Sequence, residues 1–227
     1  MPSAPVRRID PVQLARRQLA RSGVGHKPPH WLIAWPLSLL FTAIGLWLLY
    51  SFLPVLAQWR HSAAMQLYAL ATAAGMVFFA ICHCAPAYVF GHEMTHFLAA
   101  KAMRHRTGKV VLSWRHGYVE VPNPNAAIVL APYVIPFYFV ISAGLLALAA
   151  GLWPDGGAPE WYAMGSAAWL GLCTAFHLVL TAIAVIRTQS DLAFCGRALS
   201  LSIILCGNLA FFRIAAWVAQ ALLPPSL

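Results

Sequence analysis

The stretch Ala85-Pro86-Ala87-Tyr88-Val89-Phe90-Gly91-His92-Glu93-Met94-Thr95-His96-Phe97-Leu98-Ala99-Ala100-Lys101 decides how the chain is read. It sets His-Glu-x-x-His inside an almost uninterrupted apolar run from Ala63 to Met103. Residues four apart on a helix share one face, so His92 and His96 can both reach one metal ion. Glu93, directly after the first histidine, is placed to take the proton of a water that such an ion activates. A glutamate and two histidines are costly to bury in an apolar segment and mark a functional site there.

Working outward, the apolar run is too long for one straight crossing. As a single helix it would be roughly twice the hydrocarbon thickness of a bilayer. Two readings compete: two spans that turn at Cys82-His83-Cys84-Ala85-Pro86, or one long helix kinked by Pro86. Charge decides between them. Residues 1–30 carry Arg7, Arg8, Arg16, Arg17, Arg21 and Lys27 against the single acid Asp10, which keeps this end in the cytoplasm. The basic cluster Lys101, Arg104, Arg106 and Lys109 belongs on the same side, so an even number of crossings precedes Met103. The single kinked helix satisfies this and puts His92 and His96 near its cytoplasmic end.

The remainder of the chain fits the same solvent. Of 227 residues, 61% are hydrophobic and 9% charged, a balance that points away from a soluble domain and toward a multi-spanning membrane protein. The formal charge of +9 comes from basic residues beside apolar spans, which suits anionic lipid headgroups and membrane topology rather than nucleic acid. The reading is an all-α polytopic membrane protein of about five transmembrane helices, over 31–57, 65–100 with a kink, 126–152, 161–186 and 199–222. A small β-hairpin over 109–121 lies on the cytoplasmic side, signalled by alternation in Val110-Val111-Leu112-Ser113-Trp114 and Tyr118-Val119-Glu120-Val121. Residues 1–30 form a basic cytoplasmic segment with a short surface helix that starts at Asp10-Pro11, and 31–227 form one domain.

Pro132 and Pro136 predict a bend or a loosened first half in the third span. Asp155 and Glu160 lie in an outer loop, Arg213 snorkels outward from the last span, and Trp31, Trp47, Trp153 and Trp161 serve as interfacial anchors. The five cysteines do not make a paired framework, and packing is their plain role, Cys82 and Cys84 included.

A catalytic zinc takes three protein ligands and keeps a position for water, and the helix supplies only His92 and His96. The chain has six acids. Asp10 is in the leader, Glu93 is the base, and Asp155 and Glu160 face the wrong side, so Glu120 and Asp191 remain. Asp191 follows the fourth span at the depth of the histidines and is the chosen third ligand; Glu120 sits on the hairpin as a solvated strand residue. His177 lies about three and a half turns before Asp191, deeper by roughly 20 Å on a continuous helix. It is a candidate for supporting the ligands or binding an oxyanion only if the helix breaks between the two, and is otherwise a satisfied core histidine. Gln189, two residues before Asp191, is a further candidate for that role.

With these residues in view, the chain resembles the site-2 protease family of intramembrane zinc metalloproteases, as a divergent compact member. The likeness is carried by His92-Glu93-x-x-His96, by Phe97-Leu98-Ala99-Ala100-Lys101 after it, by the basic turn and hairpin, and by a downstream aspartate at a helix boundary. It covers the layout from about residue 65 to 200. The family's second motif has an asparagine, often a proline, and then Leu-Asp-Gly, whereas this chain reads Thr188-Gln189-Ser190-Asp191-Leu192 with its glycine only at Gly196. The resemblance implies a three-helix catalytic core, one zinc ion, and an active site inside the bilayer near the cytoplasmic face of a cell membrane. It also implies that the substrate is a membrane protein, cut within or near a transmembrane segment.

Two other classes make contrasting expectations. A di-iron oxygenase needs several histidine boxes, and only His92/His96 has the spacing. A non-proteolytic metal-binding membrane protein, an inactive relative or a metal carrier, would use the same ligands and be indifferent to Glu93.

Overall fold

A computed structural model describes residues 29–114, 116–153, 158–187 and 190–222. The expected surface helix within residues 1–30, Asp155 and Gln189 lie outside the described residues. The described chain is mostly helical, with seven α-helices, one short 3-10 turn and one two-stranded sheet. They are α1 (Trp31–Trp59), α2 (Ala63–Ile81), α3 (Ala85–Ala102), β1 (Val110–Leu112), β2 (Gly117–Val119), α4 (Ala126–Val134), α5 (Phe137–Ala150), α6 (Glu160–Ile186), the 3-10 turn Ser190–Ala193, and α7 (Arg197–Leu222). Four helices are long and apolar enough to cross a membrane, α1, α2, α6 and α7, and the bent pair α4 and α5 brings the number to five if it makes one span.

The centre of the fold is the contact between α2 and α6. Small residues let these helices approach closely: a side chain at Gly171 would meet the Tyr68 carbonyl, and one at Gly75 would meet Ala175. Tyr68 also shares a 2.8 Å hydrogen bond with Thr174, and Phe79 packs edge-on against Phe176 at 5.0 Å. Partners advance together along both chains, so α2 and α6 run in the same direction. Ala64, Met65, Ala163, Ala167 and Leu170 close the core at the start of the pair.

At Cys82-His83-Cys84 the helix stops and restarts. Pro86, near the start of α3, has no amide to donate, and Cys84 takes a left-handed conformation at φ 40° before it. The chain does not reverse here. The Ala87 carbonyl meets Tyr138, whose ring in turn packs on Phe176, and His92 and His96 reach beyond the end of α6. Cys82, His83 and Cys84 are exposed at this break, which corrects the expectation that the two cysteines pack. An interrupted helix turns their side chains away from the α2–α6 seam, whereas Cys173 and Cys195 are buried.

Asn125 caps α4 by accepting the Ile128 amide. The helix ends at Ile135, which the following Pro136 holds in an extended conformation, and α5 leaves at a bend of 68°. The pair runs back along α3 and α6, and Tyr162 closes its far end by donating to the Leu146 carbonyl. At the side, α1 and α7 lie parallel and in close contact at Gly45. Arg213 does not simply reach outward: its Nη1 donates to the Ser51 carbonyl at 2.7 Å and hydroxyl at 2.8 Å on α1. The sheet is an antiparallel hairpin in the register Val110↔Val119, Val111↔Tyr118 and Leu112↔Gly117.

Candidate metal centre

Three elements meet where α6 ends. α3 carries His92 and His96 one turn apart, with ring centroids 4.9 Å from each other. α6 stops at Arg187, and the 3-10 turn that follows carries Asp191. This turn is anchored from below by Leu192, buried among Leu130, Tyr133 and Leu199, and by the Ser200 hydroxyl, which donates to the Leu192 carbonyl at 3.0 Å. Gly196, at φ 81°, then allows the reversal into α7 that an L side chain would strain.

The result is a compact donor set. Asp191 Oδ2 lies 3.6 Å from His92 Nε2 and 3.6 Å from His96 Nε2, and one ligand atom from each residue falls within 4.8 Å of the others. Ligands on a tetrahedron with bonds of about 2.0–2.1 Å stand roughly 3.3 Å apart, close to the two carboxylate–imidazole separations. Burial raises the Asp191 carboxyl, but hydrogen bonds from the two imidazoles outweigh it and hold the group well below the usual carboxylate range. His92, His96 and Asp191 thus form a cluster that could hold a metal ion.

The orientation of His96 is set from the far side of its ring. Nδ1 lies 2.9 Å from the Ile128 carbonyl, a bond that only a protonated Nδ1 can make, so in the neutral ring Nε2 is the nitrogen free to bind an ion. The sequence explains why that carbonyl is available. In an uninterrupted helix it would accept the amide of residue 132, and residue 132 is a proline. His92 packs edge-on against Tyr133 at 5.3 Å and leans on Tyr88.

Glu93 is buried, at 9% exposure, on the side of α3 that faces the hairpin. A side chain at Gly117 would come within 2.7 Å of Glu93 Cγ, so the bare glycine of β2 is what lets the strand lie against it. Its carboxyl is within electrostatic reach of His96 and Asp191. Glu120 stands apart from the cluster: it is exposed and accepts the Lys109 amide at 3.1 Å.

His177 sits in the unbroken part of α6, nine residues before its end. It lines the same small cavity as His92, with Thr181, Phe176 and Ile135, but its Nε2 is bonded to Asn208 Oδ1 at 3.1 Å. Asn208 Nδ2 donates to the Tyr133 carbonyl at 2.8 Å. Sequence reasoning did not find Tyr133, Asn208 or the Ile128 carbonyl. An asparagine within an apolar helix was the one available signal.

Compared with protein-family models, with curated proteins and with solved structures, the chain matches none. Among the described residues, fold and site together define a mostly helical protein with four apolar helices of membrane-crossing length, or five if the bent pair is one span, and one half-buried cluster of two imidazoles and a carboxylate.

Proposed function

We propose that the protein is an intramembrane zinc metalloprotease, a compact relative of the site-2 proteases, which hydrolyses a peptide bond in or near a transmembrane segment of another membrane protein. The observation that carries this reading is the convergence of His92, His96 and Asp191 from two distant parts of the chain, with the glutamate of the same motif buried beside them. Two nitrogens and one carboxylate oxygen suit zinc and leave a coordination position open.

A zinc ion, if held by His92, His96 and Asp191, would supply Lewis acidity toward a water and a peptide carbonyl. Glu93 takes the proton of the attacking water and returns it to the leaving amine. Its burial keeps bulk water from competing for that proton. A transmembrane helix hides its carbonyls in its own hydrogen bonds, so the substrate must unwind before it can be cut. The open edge of the hairpin beside Glu93 offers the unwound segment a strand to pair with, and the bend at Ile135-Pro136 is the proposed gate.

The test is cleavage of a transmembrane peptide by the purified chain and by Glu93→Gln. Removing the base should lower the rate by about 10²- to 10⁴-fold, with bound metal unchanged. Undiminished cleavage would reject the role of Glu93. No cleavage by the wild type, with metal bound, would favour the non-proteolytic metal-binding protein instead.

A further inference from the structure

The strongest observation outside the ligand set is a tyrosine at the bend between α4 and α5. Tyr133 is 1% exposed, and its hydroxyl donates to Asp191 Oδ2 at 3.0 Å. That is the same oxygen that lies 3.6 Å from both imidazoles. A carboxylate can rotate about its last bond and can offer either oxygen, or both, to an ion. A donor fixed on one oxygen removes that freedom.

The donor is itself held at two points, one of them braced in turn by a third helix. Its carbonyl accepts from Asn208 on α7, and Asn208 is held by His177 on α6. Its ring stands perpendicular to His92, at an interplanar angle of 87°. Three helices therefore determine where the hydroxyl points. Asp191 rides on a turn of four residues, the least regular support of the three ligands, and is the one that most needs an external restraint.

We infer that Tyr133 is a positioning residue for the metal site: its hydroxyl orients Asp191 so that one carboxylate oxygen faces His92 and His96. This role rests on the reading of those three residues as a metal site. It does not depend on proteolysis. Partners that orient a ligand contribute about 10- to 100-fold in metal affinity.

Tyr133→Phe removes the hydroxyl and keeps the ring, so packing against His92 survives. The experiment compares the full-length wild type and Tyr133→Phe in detergent, with zinc affinity measured by competition with a chromogenic chelator. The visible spectrum of the cobalt-loaded protein and the melting temperature of the metal-free protein are recorded alongside. The expected result is a zinc affinity about 10- to 100-fold weaker in the variant, an altered cobalt spectrum, and an unchanged metal-free melting temperature. Equal affinity and identical spectra in the two proteins would overturn the role of Tyr133 while leaving the metal site standing, as would a lowered metal-free melting temperature with unchanged affinity. A wild type that binds neither zinc nor cobalt would overturn the metal site and the tyrosine's role together.

Discussion

Glu93 shows how much depends on a single missing side chain. It can lie against β2 only because residue 117 is glycine: an added Cβ would stand 2.7 Å from Glu93 Cγ, 3.0 Å from Val89 and 3.1 Å from the Val111 carbonyl. Real Cβ atoms do not tolerate such contacts, so either the strand or the glutamate must move. Gly117→Ala should therefore lower cleavage by about 10-fold or more, since misplacing a reacting group by about 1 Å can cost as much as 10²-fold. Metal content, measured on the same sample, should not change, because the atoms nearest an added Cβ at residue 117 belong to Glu93, Val89 and Val111 and not to His92, His96 or Asp191. Loss of metal in Gly117→Ala would show that the hairpin supports the ligands rather than the base.

The same scale shows what the sequence could and could not yield. His92 and His96 were legible from helical spacing alone, and Asp191 from its depth among six acids. Ile128, Tyr133 and Asn208 were not. Ile128 acts through a carbonyl that Pro132 leaves unclaimed, and Tyr133 acts through a hydroxyl aimed by a bend. Asn208 acts through contacts between helices far apart in sequence. Of the three, only Asn208, an asparagine within an apolar helix, has a residue type that marks it.

Among the elements, the closeness of α2 and α6 determines where α3 begins and therefore where the histidines lie. Gly171 is the narrowest point, where a Cβ would be 2.5 Å from the Tyr68 carbonyl and 3.0 Å from Ala71. Backbone cannot yield as a side chain can, so Gly171→Ala should force the helices apart and cost about 1–3 kcal/mol. Gly144→Ala is the control, since nothing lies within 4 Å of its added methyl and alanine is the better helix former by about 1 kcal/mol. Thermal unfolding in detergent should show the first variant melting below the wild type and the second not. Equal melting of Gly171→Ala and the wild type would mean that the α2–α6 seam has slack.

The hairpin and the bend between α4 and α5 were visible beforehand, in alternation and in prolines. The break at Cys82-His83-Cys84 was visible as a kink at Pro86, but its exposure was not, because an apolar run gives no sign of which side chains a stop and restart will turn outward. Arg213 was visible as an oddity, but its acceptor on α1, the Ser51 carbonyl and hydroxyl, came only with the packing of α1 on α7.

Across the whole molecule, the candidate site gathers at one end. α2 and α3 travel along α6 in one direction and deliver His92 and His96 there, while the end of α6 delivers Asp191 and α4 starts back from the same place with Ile128 and Tyr133. No single element holds the cluster, so its existence is a property of the packed chain. A mispacked chain would separate the carboxylate from the two imidazoles, and on the proposed reading would lose the third ligand and much of the metal affinity. Metal content is thus the direct readout of the assembled arrangement. The decisive measurement is elemental analysis of the purified full-length protein beside Asp191→Ala: the wild type should carry one zinc ion per chain and the variant little or none. A wild type without zinc, or an Asp191→Ala protein that retains its full complement, would contradict the convergence of these three residues on one ion.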